Sequence, residues 1–260
     1  MSARVAVAAL GLLFLVACGS LAANQGLADL RGHTFLSTGV TENGQAKQLV
    51  AGTRIRLGFS DDGRRIAVHA GCNHLGGEAR VQDGRLVAED MAMTAMACDG
   101  GRSEQDAWLA RFLTGRPTIR LSGTELVLAN STTEIRLLDR TVADPDRPLT
   151  GTRWIVESIV DRDTASSIPQ GAVAHLILSG DGTFTGNTGC NQMGGAAGTT
   201  GPAIRFSDVF TTRIACEQDR MRLEQAVLSV LRDEVSYEIE ADLLRLRHPS
   251  GRGIDLRAEL

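Results

Sequence analysis

The sequence predicts a mainly β protein of the α+β class, built as two tandem antiparallel twisted-sheet domains, each rolled toward a partial barrel with one packed helix. Three observations lead to this prediction. The chain repeats itself once, alternating apolar and polar residues dominate each copy, and one stretch of helical periodicity interrupts the strands of each copy.

The repeat is clearest around two short motifs. "GCNHLGG" at residues 71–77 and "GCNQMGG" at residues 189–195 share five of seven residues at an offset of 118 positions, and "TAMAC" and "TRIAC" follow at the same offset. A repeat of roughly 110 residues has the size of a domain. We therefore expect one domain at 29–139, a second at 149–260, and between them an exposed, proline-containing linker at 140–148.

Most segments within each copy have the pattern of strands. "RIRLGFS" alternates and runs through the turn "DDG" into "RIAVHAG", and the second copy repeats this arrangement as "AHLILSGDGTFTGNTG". Another hairpin is predicted at Asp83-Gly84. Two further strands end each copy, as "TIRLSGTELVLAN" and "SYEIEADLLRLRH".

One helix is expected after the second motif of each copy, because apolar residues there recur with the spacing of one helical face. These residues are Trp108, Leu109, Phe112 and Leu113 in the first copy, and Leu223, Ala226, Val227, Val230 and Leu231 in the second. Aromatic residues are too few to form a surface on which ligand rings stack, so Trp108, Trp154 and Tyr237 are interpreted as anchors of the cores.

The N-terminal segment predicts export. Arg4 precedes an apolar run over residues 5–16, which is too short to span a bilayer as a mature helix and is typical of a secretory signal peptide. We expect residues 1–17 to be removed.

The end of that run predicts a lipid anchor. "LVAC" followed by Gly19 resembles a bacterial lipobox, which implies lipidation of Cys18 with palmitate-like acyl chains and a tether over residues 18–28. An ordinary signal cleavage near Ala23 is the alternative. The anchored protein would sit at a membrane of the cell envelope, on its extracytoplasmic side.

Cysteine spacing predicts two disulfides. Lipidation of Cys18 leaves Cys72, Cys98, Cys190 and Cys216, and the two cysteines of each copy are separated by 26 positions. In an oxidising compartment such cysteines form disulfides, and four of them allow three connectivities. The duplication favours the connectivity in which each copy closes its own bond.

Several function classes are disfavoured by the sequence. A net charge of −4 without a basic run argues against a nucleic-acid partner. The glycines of "GDGTFTG" at residues 180–186 have the wrong spacing for a dinucleotide-binding loop and are interpreted as those of a hairpin turn. His69, Cys72 and His74 could be imagined as metal ligands, but the second copy has Asn187 or Thr188 and Gln192 in place of the two histidines. Asp61-Asp62-Gly63 is interpreted as a turn. We therefore predict no catalytic residues, cofactor or metal.

Two other groups of residues have structural interpretations. Asn73 and Asn191 are expected to hold the bend beside a disulfide, because asparagine bonds readily to neighbouring backbone. Met91, Met93 and Met96 are expected to pack in the core, with a hydrophobic ligand groove as the alternative.

"GCN" followed by Gly76-Gly77, then "AMTAMAC", a short helix and paired strands resemble the META domain, also called the HslJ-like domain, of bacterial envelope lipoproteins. The resemblance covers residues 30–139 and 149–260, and the first copy is the closer match. The second copy lacks the methionines and has "GGAAGTTG" where the first has "GGEARVQDG", which puts a shared ligand-binding surface in doubt. The resemblance implies an envelope module, associated in some members with heat response, antibiotic tolerance or motility, and supplies no catalytic residues.

The sequence therefore leads to the expectation of a non-enzymatic, lipid-anchored envelope protein that acts as a binding or envelope-maintenance module. Whether its partner is a protein or a small molecule is left open. A protease inhibitor that offers a loop and a barrel that binds a small hydrophobic ligand are the alternatives.

Overall fold

The computed structural model describes residues 30–259, which divide into two units on either side of the Asp139–Arg140 junction. The expected signal peptide, Cys18 and the tether lie outside the described residues. No helix among residues 30–259 is long and apolar enough to cross a membrane.

Residues 30–139 form nine strands and one helix. The strands are β1 Thr34–Glu42, β2 Gln45–Ala46, β3 Arg56–Phe59, β4 Arg65–His69, β5 His74–Gln82, β6 Arg85–Met93, β7 Thr118–Ser122, β8 Glu125–Ala129 and β9 Thr133–Asp139, and α1 spans Arg102–Thr114. The helix lies in the connection between β6 and β7.

The first sheet closes on itself. Its order is β2-β1-β3-β4-β5-β6-β7-β8-β9, and β1 also pairs with β9, so eight antiparallel strands form a barrel from which β2 extends as a hairpin. The pairing between β6 and β7 is the shortest in this sheet, since it consists of the single pair Arg85–Thr118. Closure matters because it removes the unpaired edges through which an open sheet would aggregate.

Residues 140–259 repeat this architecture. The helices are α2 Arg140–Ala143 and α3 Gln218–Val230, and the strands are β10 Arg153–Asp161, β11 Thr164–Ser167, β12 Ala174–Leu178, β13 Thr183–Thr188, β14 Gln192–Thr200, β15 Ala203–Thr211, β16 Asp233–Glu240, β17 Leu243–Arg247 and β18 Arg252–Ala258. β10 pairs with both β12 and β18, which closes the second barrel. The predicted fold class is confirmed.

Each barrel has its own core, filled by the inward residues of the alternating strands and by one face of its helix. Trp154 is fully buried, and its indole N–H donates to the Leu149 carbonyl at 3.1 Å. Trp108 and Tyr237 are only partly buried and pack at the margins of the cores. Of the three expected anchors, Trp154 alone is a central core residue.

The second glycine of each "GG" pair allows two strands to approach closely. The register shifts between Gly76 and Glu78, and a Cβ atom on Gly77 would lie 2.5 Å from the carbonyl oxygen of Glu89. At Gly195 a Cβ atom would lie 2.7 Å from the carbonyl oxygen of Ser207. Because a strand backbone occupies that space, only glycine fits.

The expected exposed linker at 140–148 is more ordered than its composition suggests. It begins with the helical turn α2, and its later residues bond to the second unit. Asp146 accepts the Ala241 N–H at 2.7 Å, and the Arg147 N–H donates to the Ala241 carbonyl at 2.8 Å. These bonds, one through the Asp146 carboxylate and one through the Arg147 backbone, join the segment to the second unit.

Candidate functional site

Two disulfides mark equivalent places in the two barrels. Cys72 is bonded to Cys98 and Cys190 to Cys216, with Cα–Cα distances of 6.1 and 5.9 Å. Each bond joins the bend before one strand to the loop that follows the next strand. The disulfides indicate an oxidising environment outside the cytoplasm.

Asn73 fastens the first of these loops from inside the bend. Its side-chain oxygen accepts the Met96 N–H at 2.8 Å and the Thr94 hydroxyl at 3.0 Å, and its Nδ2 donates to the Met96 carbonyl at 3.4 Å. The buried amide therefore pairs with Met96 as a neighbouring strand would. The structural role expected for Asn73 accounts for these contacts.

A carboxylate from the helix holds Asn73 in turn. Asp106 of α1 is 0% exposed, and its Oδ2 accepts the Asn73 N–H at 2.7 Å and the Nδ2 group at 3.2 Å. Gln105 accepts the Val50 N–H at 2.7 Å and donates to the Thr53 hydroxyl at 2.8 Å. Asp106 thus fixes the bend, and Gln105 holds the helix to the loop before β3.

The second barrel repeats the arrangement. Asn191 accepts the Ile214 N–H at 2.8 Å and donates to the Ile214 carbonyl at 3.1 Å. Glu224 of α3 accepts the Asn191 Nδ2 group at 2.9 Å and the Thr188 hydroxyl at 2.6 Å. Glu224 occupies the position of Asp106 in the repeat, so the shared acidic residue at that offset could have indicated this contact from the sequence.

The loops leave an apolar side chain in solvent at equivalent positions. Met96 is 51% exposed and Ile214 is 63% exposed. The expectation that Met93 and Met96 pack in the core is therefore wrong, although Met91 packs against the core edge. Residues 92–97 are all exposed, so the amide contact fixes the backbone without covering the side chains.

A groove of about 630 Å³ crosses the outer wall of the first barrel next to this bend. Its floor consists of Gly58, Ala67 and Gly76, which are cross-strand partners on β3, β4 and β5. The immediate neighbours of each of these residues in sequence are buried, so the three face outward from the barrel. Because two of these residues lack a side chain and the third has only a methyl group, the surface is concave along this row.

The rim of the groove is basic. Arg56, His69 and His74 are cross-strand partners along one side, and Arg65 lies on the other. The rings of His69 and His74 are 4.8 Å apart. None of the described residues lining the groove is acidic, and the described part of the chain contains no metal-binding cluster of three or more His, Cys, Asp or Glu residues.

The equivalent surface of the second barrel is covered at its glycine, while a smaller hollow of about 350 Å³ remains beside Arg153, His175 and Asn187. Gly194 aligns with Gly76, and its cross-strand partner is Phe210, where the first barrel has Ala92. A Cβ atom on Gly194 would lie 2.8 Å from Cζ of Phe210. The phenyl ring therefore rests on the glycine, and the two copies differ at the surface that the sequence had placed in doubt.

Comparison with known proteins identifies related domains. The model of the META domain family matches residues 28–142 and 147–259. The NMR structure of a protein from Burkholderia xenovorans is 26% identical, with a TM-score of 0.38, over 43% of this chain and 83% of that chain. A second NMR structure is 23% identical, with a TM-score of 0.35, over 43% of this chain and 92% of that chain. No curated protein matches the chain.

Proposed function

Because this chain belongs to the META domain family through both of its barrels, we propose that it is a lipid-anchored, non-enzymatic binding protein of the cell envelope. Its ligand site is the groove of the first barrel. The observation that carries this proposal is the contrast between the two copies. In the first barrel the surface over Gly76 is open, because its cross-strand partner is Ala92, whereas in the second barrel the ring of Phe210 covers Gly194. The second barrel keeps the framework without the open floor at the glycine.

The chemistry of the groove supports binding without catalysis. Ser60 lines it, but its hydroxyl donates to Asp62 Oδ1 at 2.6 Å and accepts the Arg65 N–H at 3.0 Å within a turn. A serine nucleophile needs a base that accepts its proton, and a carboxylate that closes a turn is not placed for that role. The basic rim supplies hydrogen-bond donors that hold a ligand.

The sequence around Cys18 supports the lipid anchor. The lipobox explains why an exported chain with two disulfides has a fifth cysteine. A diacylglycerol group together with an amide-linked acyl chain would hold the protein firmly, whereas one acyl chain would bind only marginally.

The anchor is tested by feeding producing cells an alkyne fatty acid. The wild-type protein should be labelled, and Cys18→Ala should be unlabelled and either released from the membrane or retained as precursor. Cys72→Ala is the matched control and should keep the label. An unlabelled wild-type protein whose mature N-terminus follows Ala23 would rule out the anchor.

The ligand site is tested by NMR with the oxidised full chain and a fragment set that includes aromatic, aliphatic, anionic and cationic compounds. At least one fragment should shift the amide signals of Gly58, Ala67 and Gly76. If no fragment shifts those amides at millimolar concentration, the groove is not the ligand site.

A second candidate function is protease inhibition by the Met96 loop. The observation that favours it is the pairing of both Met96 backbone groups with Asn73 beside a disulfide, which holds an exposed apolar residue in one conformation. Proteases whose primary pocket accepts methionine or leucine should be inhibited by the wild type and not by Met96→Asp. Loss of inhibition in Ile214→Asp instead would assign the activity to the second barrel.

A further inference from the structure

The second barrel shows which chemical group fits at the place equivalent to the groove of the first barrel. Phe210 and Gly194 are cross-strand partners in the second barrel, and a Cβ atom on Gly194 would lie 2.8 and 3.2 Å from two ring carbons of Phe210. Ala92 and Gly76 are the equivalent partners in the first barrel. Ala92 provides only a methyl group, so the space that a phenyl ring fills in one copy is open in the other.

The floor also continues further in the first barrel. Gly58 and Ala67 extend the row from Gly76 across two more strands, whereas the second barrel has Ile177 and Thr185 at those places. Neighbouring strands are about 4.8 Å apart, so the row from β3 to β5 spans roughly 10 Å. That length suits a planar group of one or two fused rings.

The charge along the groove changes together with its shape. One side of the floor carries three aligned basic residues in the first barrel, and the equivalent row of the second barrel has one histidine followed by two amides. The two rows are Arg56, His69 and His74, and His175, Asn187 and Gln192. The row of three basic residues is therefore found in the copy that has the open floor, whereas in the second barrel the single histidine of the row has Arg153 beside it, 3.3 Å from its Nδ1.

These residues suit an anionic group. A guanidinium group, which Arg56 supplies here, binds carboxylates and phosphates through charge-assisted hydrogen bonds, and histidine donates a hydrogen bond in either protonation state. On the opposite side of the floor, Arg65 faces Glu78 across the strand pair, which weakens the positive potential there. The anionic group is therefore expected on the side of Arg56, His69 and His74.

We propose that the groove of the first barrel binds an aromatic anion, with its ring on Gly76 in the place that Phe210 takes on Gly194. Its carboxylate or phosphate group lies against Arg56, His69 and His74. This inference rests on the proposed function, because it names the class of ligand for the same groove. Ring stacking on the bare backbone supplies the shape selectivity, and the basic row supplies the charge selectivity.

Three probes separate these contributions on the oxidised full chain. 2-Naphthoate has the ring and the anion, decalin-2-carboxylate has the anion without a planar ring, and 2-naphthylmethylammonium has the ring with the opposite charge. In calorimetric titrations, we expect the Kd of 2-naphthoate to be at least about tenfold lower than the Kd of either of the other two probes. In a parallel titration, the preference between 2-naphthoate and 2-naphthyl phosphate identifies the anionic group.

The decisive variant copies the second barrel. Ala92→Phe should place a ring on Gly76 and lower 2-naphthoate affinity at least about tenfold while the barrel stays folded, as the second barrel does with Phe210. Ala95→Phe introduces the same ring at an exposed position of the neighbouring loop and should leave the affinity unchanged. His74→Gln, which copies Gln192, should reduce the preference for 2-naphthoate over its neutral carboxamide.

The outcomes distinguish the two proposals. If decalin-2-carboxylate or 2-naphthylmethylammonium binds the groove as tightly as 2-naphthoate, the inference of an aromatic anion is wrong and the ligand-binding function stands. If Ala92→Phe leaves 2-naphthoate affinity unchanged, the ring does not lie on Gly76. If none of the fragments reaches the groove amides, both proposals fail.

Discussion

The side-chain amide of Asn73 bonds both backbone groups of Met96, accepting its N–H at 2.8 Å and donating to its carbonyl at 3.4 Å. The same relationship joins Asn191 to Ile214. Where the chain leaves the sheet, a single buried side chain thus makes the two backbone hydrogen bonds that a neighbouring strand would otherwise make. This explains why each barrel can hold an exposed loop in a fixed conformation, and it makes the loop sensitive to one substitution.

Asn73→Ala is expected to lower the free energy of unfolding of the first barrel by about 2–4 kcal/mol, because several hydrogen bonds are lost and buried groups lose their partner. Urea unfolding monitored on signals of the first barrel measures this change. Asn130→Ala is the control, because Asn130 also bonds two backbone N–H groups but is exposed, so water can replace it. Equal losses in the two variants would contradict the prediction.

Removing the first disulfide should affect one barrel only. Cys72→Ser with Cys98→Ser opens a loop of about 27 residues and should cost about 3–4 kcal/mol by the chain-entropy estimate. Hydrogen exchange should show weaker protection in the first barrel and unchanged protection in the second, since each barrel has its own core. The pair Cys190→Ser and Cys216→Ser should give the reverse pattern. Equal loss of protection in both barrels would show that they unfold as one unit.

Gly77→Ala is expected to destabilise the first barrel by about 1–3 kcal/mol, because the added methyl group meets the Glu89 backbone and must displace a strand. Gly39→Ala provides the matched control. A Cβ atom there has no described neighbour within 4 Å, and Gly39 also lies at a register shift in a strand. Thermal unfolding compares the two variants, and a Gly77→Ala protein as stable as Gly39→Ala would disprove the close approach of the strands.

The stability of the second barrel should decrease in mild acid. Burial and the charge of Arg153 lower the pKa of His175 below its ordinary value of 6.5. Because the unfolded chain binds this proton more readily, the stability that His175 contributes is complete above pH 6.5 and is lost as the pH falls below it. His175→Gln should therefore lose less stability than the wild type between pH 7 and pH 5 in urea unfolding.

His248→Gln is the control for the pH experiment. His248 is bonded to Ser250 in a turn, so its replacement should leave the acid-dependent loss of the second barrel in place. The same pH dependence in His175→Gln and the wild type would exclude His175 as its source.

Much of the architecture followed from the sequence because it depends on local pattern. Strand alternation, the hairpin turns and the helical face over residues 108–113 reflect contacts between near neighbours. The duplication favoured the disulfide pairing that the structure contains. Asp106 was missed, since an acidic residue on a helix ordinarily faces solvent, and its acidic counterpart Glu224 in the repeat was the one sequence signal for the buried contact.

The methionines illustrate the same limit. Met91 and Met96 have similar sequence surroundings, yet the first packs against the core edge and the second is half exposed. The difference arises because residues 94–98 leave the sheet after β6. Whether an apolar residue has a surface to pack against depends on where its strand ends within the barrel.

The sequence by itself determined that the chain contains two copies of one domain, that each copy is a strand-rich sheet with one helix, and that the family is that of the META domain. Only the tertiary structure decided that Gly58, Ala67 and Gly76 form one floor, with Arg56, His69 and His74 along its side. The physical reason is strand register. Register sets which residues of different strands become neighbours, and a slip of one position would turn a strand's outward residues into the core.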